Sequence, residues 1–251
     1  MKLMSRRVIF GLLILVSARG ASAQTAADVV DKTVAALGGR AALGKLTSRS
    51  ATGTITLTTP GGDVSGSVEV FNKAPNKSRT VIKVDLSSLG AGPLVVDQRF
   101  DGTAGYVMDS LQGNHDITGN QLDNMRNGSF PHPLLNYKAL GMTVKLGEKE
   151  KVGDRDAYVL ILEPASGSVL RQYVDAETYL PIQMVVKAFV PQLGQDLEQT
   201  TALRDYRTVD GVKLPFEVRT SSSVQTITIV LSKIEHNVTI DDALFAKPAN
   251  P

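Results

Sequence analysis

The sheet-forming pattern of this chain is clearest in residues 51–70, which read ATGTITLTTPGGDVSGSVEV. Small and apolar residues alternate with threonine up to Leu57, and valine and glycine alternate with polar residues from Val64 onward. A period of two is that of a β-strand with one apolar face, because successive side chains point to opposite sides of a sheet. The turn-forming residues 60–63 join the two runs. Residues 51–70 therefore predict an antiparallel hairpin.

The same alternation continues almost to the end of the chain. Further turn signals stand at Asp101-Gly102, Gly153-Asp154 and Asp210-Gly211. We count about ten or eleven strands at regular spacing, and the short turns between them predict antiparallel neighbours. The predicted fold class is α+β and mostly β, with a single antiparallel sheet curved into an open half-barrel.

Helical patterns interrupt the strands in two places. Residues 25–39 have a capping-box spacing at Thr25 and Asp28, an apolar stripe, and a Gly-Gly end, and a second short helix is expected over residues 40–46. Strand periodicity then stops between residues 111 and 142, where Leu122 and Met125 are helically spaced and Pro133 is placed to open another helix. We expect these short mid-chain helices to form a lid over one face of the sheet.

The apolar alternation itself is the main candidate for a binding function. Aromatic residues make up only 5% of the chain, so branched aliphatic and methionine side chains would line the inner face of the half-barrel and leave room for an apolar ligand. The alternative is a filled core. The predicted cavity residues are Ile55, Leu57, Val68, Val70, Ile82, Val84, Met125, Leu135, Ile182, Met184 and Val186.

The first 23 residues have the features of an export signal. Lys2, Arg6 and Arg7 form a basic start, residues 8–16 are apolar, and residues 21–23 read ASA, a small-residue cleavage site. We predict cleavage after Ala23 and a soluble periplasmic protein; general secretion and twin-arginine export both stay open. Residues 24–251 show no linker and are predicted to form one domain.

Composition excludes several classes of protein. Four of the 27 basic residues and none of the 25 acidic ones lie in the predicted signal, which leaves 23 basic against 25 acidic residues. A nucleic-acid-binding domain normally carries a clustered basic face, so we expect no nucleic-acid partner. The chain has no cysteine, which excludes thiol catalysis, cysteine-based metal sites and disulfides.

No catalytic set is evident in the sequence. The three histidines, His115, His132 and His236, lack ligand-spaced partners, and neither His-Glu-x-x-His nor Gly-x-Ser-x-Gly occurs. We therefore expect ordinary loop or strand-end histidines, no metal, no cofactor and no enzymatic activity. A Ser, His and Asp triad assembled in space stays open, because such triads are recognised by geometry.

Several segments together resemble the LolA-like family of periplasmic carriers and outer-membrane lipoprotein-sorting proteins. The matching segments follow the order of the family over nearly the whole chain after residue 23; they are residues 36–39, Gly53, 73–76, 100–102, 173–175, 180–181, 205–207, 210–215 and 237–248. The resemblance implies an open half-barrel whose apolar inner face binds acyl chains under a lid of helices. One departure is Ala74, which stands where sorting carriers place a functional arginine.

These observations predict a soluble periplasmic carrier or binding protein for lipid or acylated ligands, with outer-membrane lipoprotein sorting as its most specific form. Lipoproteins and envelope membrane partners are the expected contacts, and we expect a monomer. Two alternatives stay open: a non-enzymatic sensor or scaffold module of the envelope, and a hydrolase that acts on envelope material.

Overall fold

The fold was analysed in a computed structural model that describes residues 24–190 and 195–249. The predicted signal segment, residues 1–23, lies outside the described residues. The described chain begins with α1 (Ala26–Ala36) and α2 (Gly39–Leu43). The capping box is confirmed: the Asp28 backbone N–H donates to the Thr25 hydroxyl, and Asp28 accepts from the Thr25 backbone N–H at 2.9 Å. The second helix is shorter than the predicted span of residues 40–46.

A glycine is required at the junction of the two helices. Gly38 has φ of 123°, a conformation that side chains with a Cβ rarely adopt. A Cβ on Gly38 would also overlap the backbone carbonyl of Gly211. The close approach is held by the Lys213 backbone N–H, which donates to the Leu37 carbonyl at 2.9 Å. Gly38 therefore lets α1 and α2 pack directly on the sheet.

Fourteen strands follow. They are β1 (Ser48–Thr59), β2 (Gly62–Lys73), β3 (Lys77–Asp85), β4 (Pro93–Phe100), β5 (Gly105–Asp109), β6 (His115–Ile117), β7 (Thr143–Leu146), β8 (Glu150–Val152), β9 (Arg155–Glu163), β10 (Leu170–Asp175), β11 (Pro181–Val190), β12 (Gln195–Val209), β13 (Val212–Ser221) and β14 (Thr226–His236). A third helix, α3 (Gly119–Arg126), and single 3₁₀ turns at Ser87–Leu89, Pro133–Leu135 and Asp242–Leu244 complete the described elements.

All of these strands belong to one antiparallel sheet. Their order is β6-β5-β4-β3-β2-β1-β14-β13-β12-β11-β10-β9-β7, and β8 pairs with β9. The first and last long strands, β1 and β14, are neighbours near the middle of this order. Within the described chain the sheet ends at β6 and β7 without closing on itself. The predicted mostly β fold with an open half-barrel is therefore confirmed.

The strand count differs from the predicted ten or eleven because several strands are very short. β6 has three residues and lies inside the segment that was expected to contain no strand. Residues 143–152, which precede the predicted turn at Gly153-Asp154, contain two strands, β7 and β8, of four and three residues. So few residues complete barely one alternation, and the two-residue period is not visible in the sequence.

The sheet has one inner face, against which α1 and α2 pack. Cross-strand pairing carries one row of residues along this face from β9 to β2: Leu160, Gln172, Met184, Thr201, Thr220, Ile227, Leu57 and Val64. Two apolar clusters lie at opposite ends of the row. The sequence-predicted hairpin of β1 and β2 is present with Ile55 opposite Gly66.

The first cluster, which we call the helix-covered cluster, joins the helices to the β9 side of the sheet. Its buried residues are Val29, Val30, Val34, Leu37, Leu43, Leu46, Phe130, Leu134, Met142, Tyr158, Leu160, Leu162, Val174 and Val212. α1 packs on β7 and β9, and α2 packs on β13. The cover over this face therefore comes from two parts of the chain. Residues 130–142 of the expected mid-chain lid contribute to it, but α1 and α2 provide much of it.

The second cluster, which we call the aliphatic cluster, consists of isoleucine, valine and leucine alone. Its buried members are Ile55, Val64, Val68 and Val84, and Leu57, Val70, Ile82, Leu86, Ile227 and Ile229 pack against them. All except Leu86 belong to β1, β2, β3 or β14. The opposite face of these strands carries exposed residues such as Thr54, Ser67 and Lys83.

Candidate ligand-binding cavity

A cavity of about 190 Å³ lies where the helices meet the sheet. Its apolar wall consists of Leu37, Leu43 and Leu46 from the α1–α2 region and Met184, Leu203 and Leu214 from β11, β12 and β13. Pro131 and His132 close one side. The cavity adjoins the inner-face row at Gln172 and Met184, between the helix-covered cluster and the aliphatic cluster.

Two hydrogen bonds to backbone carbonyls hold the cover of this cavity in place. The Phe130 N–H donates to the Pro75 carbonyl at 2.7 Å, which ties the segment before Pro131 to the β2–β3 turn. The Arg40 guanidinium donates to the Leu135 carbonyl at 3.2 Å. These bonds join three separate parts of the chain, so the position of the cover is fixed by the sheet and by α2 together.

Arg49 of β1 is the half-buried charged group of the cavity wall, which also includes the exposed Lys213. Its Nη2 and Nε donate to the Asn72 side-chain oxygen at 3.0 and 3.3 Å, and its guanidinium carbon lies 5.4 Å from the centroid of the Phe130 ring. Burial lowers the pKa of Arg49 to about 10. The guanidinium therefore stays charged at neutral pH.

His132 lies beside Arg49 and is neutral at the same pH. Burial, and secondarily the charge of Arg49, lowers the pKa of His132 to about 4. Its Nδ1 accepts from the Leu134 backbone N–H at 3.3 Å, which fixes the ring at the start of the Pro133–Leu135 turn. Across the cavity, the Tyr206 hydroxyl donates to the Pro181 carbonyl at 2.7 Å, and burial raises the pKa of Tyr206.

Six of the predicted cavity residues come together in the aliphatic cluster: Ile55, Leu57, Val68, Val70, Ile82 and Val84. Ile55, Val68 and Val84 are at most 3% exposed, so they pack against one another and fill their part of the inner face. Met184, by contrast, lines the 190 Å³ cavity. The predicted set is thus divided between a filled region and a cavity wall.

The remaining predicted residues lie elsewhere. Leu135 packs at the edge of the helix-covered cluster, Met125 is half-buried on α3, and Val186 borders a surface depression near Ser168. Ile182 was placed wrongly on the inner face. It packs instead with Ala157, Val159 and Tyr173 in a separate cluster, because the register of β10 and β11 shifts between Tyr173 and Val174 and changes the side on which Ile182 lies.

The polar residues of the cavity wall were missed at the level of sequence. Arg49 is in phase with Ala51 and Ile55 on β1, and Gln172 is in phase with Val174 on β10. A charged or amide side chain at an inward position of an apolar strand was the signal that could have found them. His132, expected to be an ordinary loop residue, is half-buried beside the charge of Arg49.

The surroundings of His236 and His132 differ from those of a catalytic histidine. His236 lies 3.0 Å from Asp210 through its Nδ1, but its side chain is 1% exposed and its Nε2 is buried without a hydrogen-bond partner. Among the described residues, no serine or threonine hydroxyl bonds to either His132 or His236. The same part of the chain contains no group of three or more His, Cys, Asp or Glu side chains placed to hold a metal ion.

None of the helices in residues 24–190 and 195–249 combines the length and the apolar character needed to cross a bilayer.

Solved structures of low sequence identity share the fold of this chain. No protein-family model and no curated protein sequence matches the chain. A LolA superfamily protein from Nitrosomonas europaea matches with a TM-score of 0.57 and 16% identity, over 90% of this chain and 99% of that one. The chain has a LolA-like fold.

Two further structures share the LolA-like fold of this chain. A putative outer membrane lipoprotein-sorting protein domain from Vibrio parahaemolyticus has a TM-score of 0.57 and 12% identity, over 88% of this chain and 97% of that one. A DUF1329 family protein from Desulfovibrio piger has the same TM-score and coverage, with 13% identity. At these identities the likeness shows the fold alone. Within that fold, Ala74 lies exposed in the β2–β3 turn.

Proposed function

We propose that the protein is a carrier or binding protein for lipids or acylated ligands in the bacterial envelope. The observation that carries this proposal is the aliphatic cavity of about 190 Å³ between the helices and the sheet. Burying one methylene group contributes about 0.8 kcal/mol. Six methylenes of an acyl chain would contribute about 5 kcal/mol before the cost of ordering the ligand, which requires no catalytic chemistry.

The LolA-like fold supports the same proposal, because one structure of this fold is described as an outer membrane lipoprotein-sorting domain. Lipoprotein sorting is the most specific form of the proposed function. It includes export to the periplasm with cleavage after Ala23 and action as a soluble monomer. Ala74 is exposed and stands where sorting carriers place a functional arginine. Binding of acyl groups is therefore the better-supported part of the proposal, and hand-over to a receptor is the less supported part.

The two alternatives have weaker support. A hydrolase would need an accessible histidine paired with a carboxylate or a hydroxyl. His236 is paired with Asp210, but its imidazole is 1% exposed, and the His132 imidazole in the cavity wall accepts from the Leu134 backbone N–H instead. A sensor or scaffold would need a contiguous apolar patch on its surface. The exposed large apolar residues in the described part of the chain are Leu89, Val95, Leu111, Val169, Val224 and Val230, and they belong to different loops and strands.

A fluorescent fatty acid and delipidated protein test the proposal. Leu203→Trp places an indole in the cavity, whereas Arg204→Trp places the same bulk on the exposed neighbouring residue of β12. We expect micromolar binding by the wild type, binding weakened more than about tenfold by Leu203→Trp, and wild-type binding by Arg204→Trp. Absence of binding by the wild type, or equal effects of the two tryptophans, would contradict the proposal.

A further inference from the structure

Arg49 lies in a mostly apolar cavity wall and has no carboxylate partner among the described residues. Its hydrogen bonds to other residues of the described chain both go to the amide oxygen of Asn72, which carries no charge. Arg79 and Arg99 show the contrast: both are largely buried, and both bind the carboxylate of Asp97, at 2.6 and 2.9 Å. The fold thus pairs two buried arginines with a carboxylate and leaves a third, which lines the cavity, without one.

Such an arrangement leaves the charge of Arg49 only partly compensated by the described residues. Burying a cation removes its hydration, and an uncharged hydrogen-bond partner compensates only part of that loss. The Arg49 Nη1 makes no hydrogen bond within the described residues, although Nε and Nη2 are both engaged. The guanidinium therefore keeps a free donor beside a cavity whose other walls are mostly aliphatic.

The neighbouring polar groups do not supply the missing negative charge. His132 is neutral above the pKa of about 4 that burial gives it. Gln172 is 3% exposed and lines the same cavity, and its side-chain amide makes no hydrogen bond to any residue that the structure describes. Lys213 also borders the cavity but is exposed to solvent, so Arg49 is the half-buried charged donor of the wall and Gln172 is an uncharged donor of the same wall, which suits an anionic ligand.

We infer that Arg49 binds the anionic head group of the cargo, so that the protein selects acyl ligands with one negative charge over uncharged ligands of the same chain length. This inference rests on the proposed function and narrows its ligand class. The carboxylate of a free fatty acid and the phosphodiester of a lysophospholipid share the required chemistry. The apolar chain lies against the leucines and Met184, and the head group accepts from Arg49 with Gln172 as a further donor.

The test compares three ligands of equal chain length: dodecanoic acid, dodecanol and a dodecanoyl lysophosphatidylglycerol. Each displaces a fluorescent fatty acid from the wild type, Arg49→Met, Arg49→Lys and the surface control Arg204→Gln, near neutral pH. We expect the wild type and Arg204→Gln to bind the acid about tenfold more tightly than the alcohol, equivalent to about 1.4 kcal/mol. Arg49→Met should lose this preference but keep its affinity for dodecanol, and Arg49→Lys should retain part of the preference.

The lysophospholipid identifies the source of the charge. Tighter binding of either anionic ligand by the wild type, lost in Arg49→Met, supports the inference. Equal binding of the acid, the lysophospholipid and the alcohol by the wild type would overturn the inference while leaving the proposed function intact. This result comes from the wild type alone and does not depend on whether the variants fold. Equal weakening of all three ligands in Arg49→Met would overturn it too, because a structural role affects every ligand alike. No binding of any ligand by the wild type would contradict the proposed function as well.

Discussion

The helix-covered cluster and the aliphatic cluster occupy the same face of one sheet but are packed in different ways. The first joins two layers, since α1, α2 and residues 130–142 lie over β9, β10 and β13. The second consists almost entirely of strand residues that pack against one another. The 190 Å³ cavity lies at the edge of the two-layered part. The cavity with the mostly aliphatic wall thus lies where helices and sheet meet, whereas the strands of the aliphatic cluster pack against one another.

The boundary between the two clusters is polar. In the inner-face row, Gln172 and Thr201 lie on either side of Met184. The hydroxyls of Thr201 and Thr220 lie 2.9 Å apart. Arg49 lies on the same side of β1 as Ala51 and Ile55. A ligand that enters from the cavity therefore meets polar groups before it reaches the aliphatic cluster.

Shortening one leucine in each cluster tests the comparison most strongly. Leu160 is 0% exposed in the helix-covered cluster, so Leu160→Ala leaves a cavity between two layers and should lower the free energy of unfolding by about 3–5 kcal/mol. Leu57 is half-buried in the aliphatic cluster, and Leu57→Ala should cost about 1–2 kcal/mol. Urea unfolding measures both values. Equal losses would show that the clusters do not differ in packing.

The next largest loss of stability is expected where the backbones of β1 and β14 come close together at Gly53. A Cβ on Gly53 would overlap the backbone carbonyl of Val230, at the place where the register of β1 and β14 shifts. Gly53→Ala should therefore lower the free energy of unfolding by about 2–3 kcal/mol. Gly92→Ala is the matched control, because its Cβ meets nothing within 4 Å, and its effect should stay below about 0.5 kcal/mol. A neutral Gly53→Ala would refute the close strand contact.

Lowering the pH should destabilise the protein through His132, which lines the cavity. The unfolded chain protonates this residue near pH 6.5, whereas the folded chain does so only near pH 4. Between these values the unfolded state binds more protons, so stability falls as the pH is lowered from 6.5 to 4. We expect His132 to account for a loss of about 2 kcal/mol over this window.

His132→Asn is the matched variant for this measurement. Its amide oxygen can accept from the Leu134 N–H as Nδ1 does, but the amide does not titrate. Thermal unfolding of both proteins across the window isolates the contribution of the imidazole from that of the carboxylates. Parallel pH profiles for the two proteins would mean that His132 is not buried beside Arg49 in solution.

Much of the fold was predictable from local sequence, because local chemistry determines it. The Thr25 and Asp28 capping box and the β1–β2 hairpin each depend on residues close together in the chain. Long-range features were not predictable in this way. The register shift that moves Ile182 to the other face depends on how β10 and β11 pair. The cavity depends on where α2 meets β13, which Gly38 and Gly211 determine across more than 170 residues.

The candidate site was predictable in its chemistry but not in its position. Branched aliphatic residues at inward positions correctly indicated an apolar inner face, since alternation fixes the side on which each residue lies. Alternation contains no information on which part of that face is filled and which part is covered by helices. Arg49 illustrates the limit: its inward phase was visible on β1, but its lack of a carboxylate partner required the positions of Asn72 and Phe130.

We propose that the cavity between the helices and the sheet holds an acyl chain. Mass spectrometry of lipids extracted from the protein, purified from the envelope of its own cells, tests it most directly when the wild type is compared with Leu203→Trp. We expect an acyl lipid with one negative charge to accompany the wild type and to be absent from Leu203→Trp. A wild type without lipid above background, or the same lipid in both proteins, would contradict the claim.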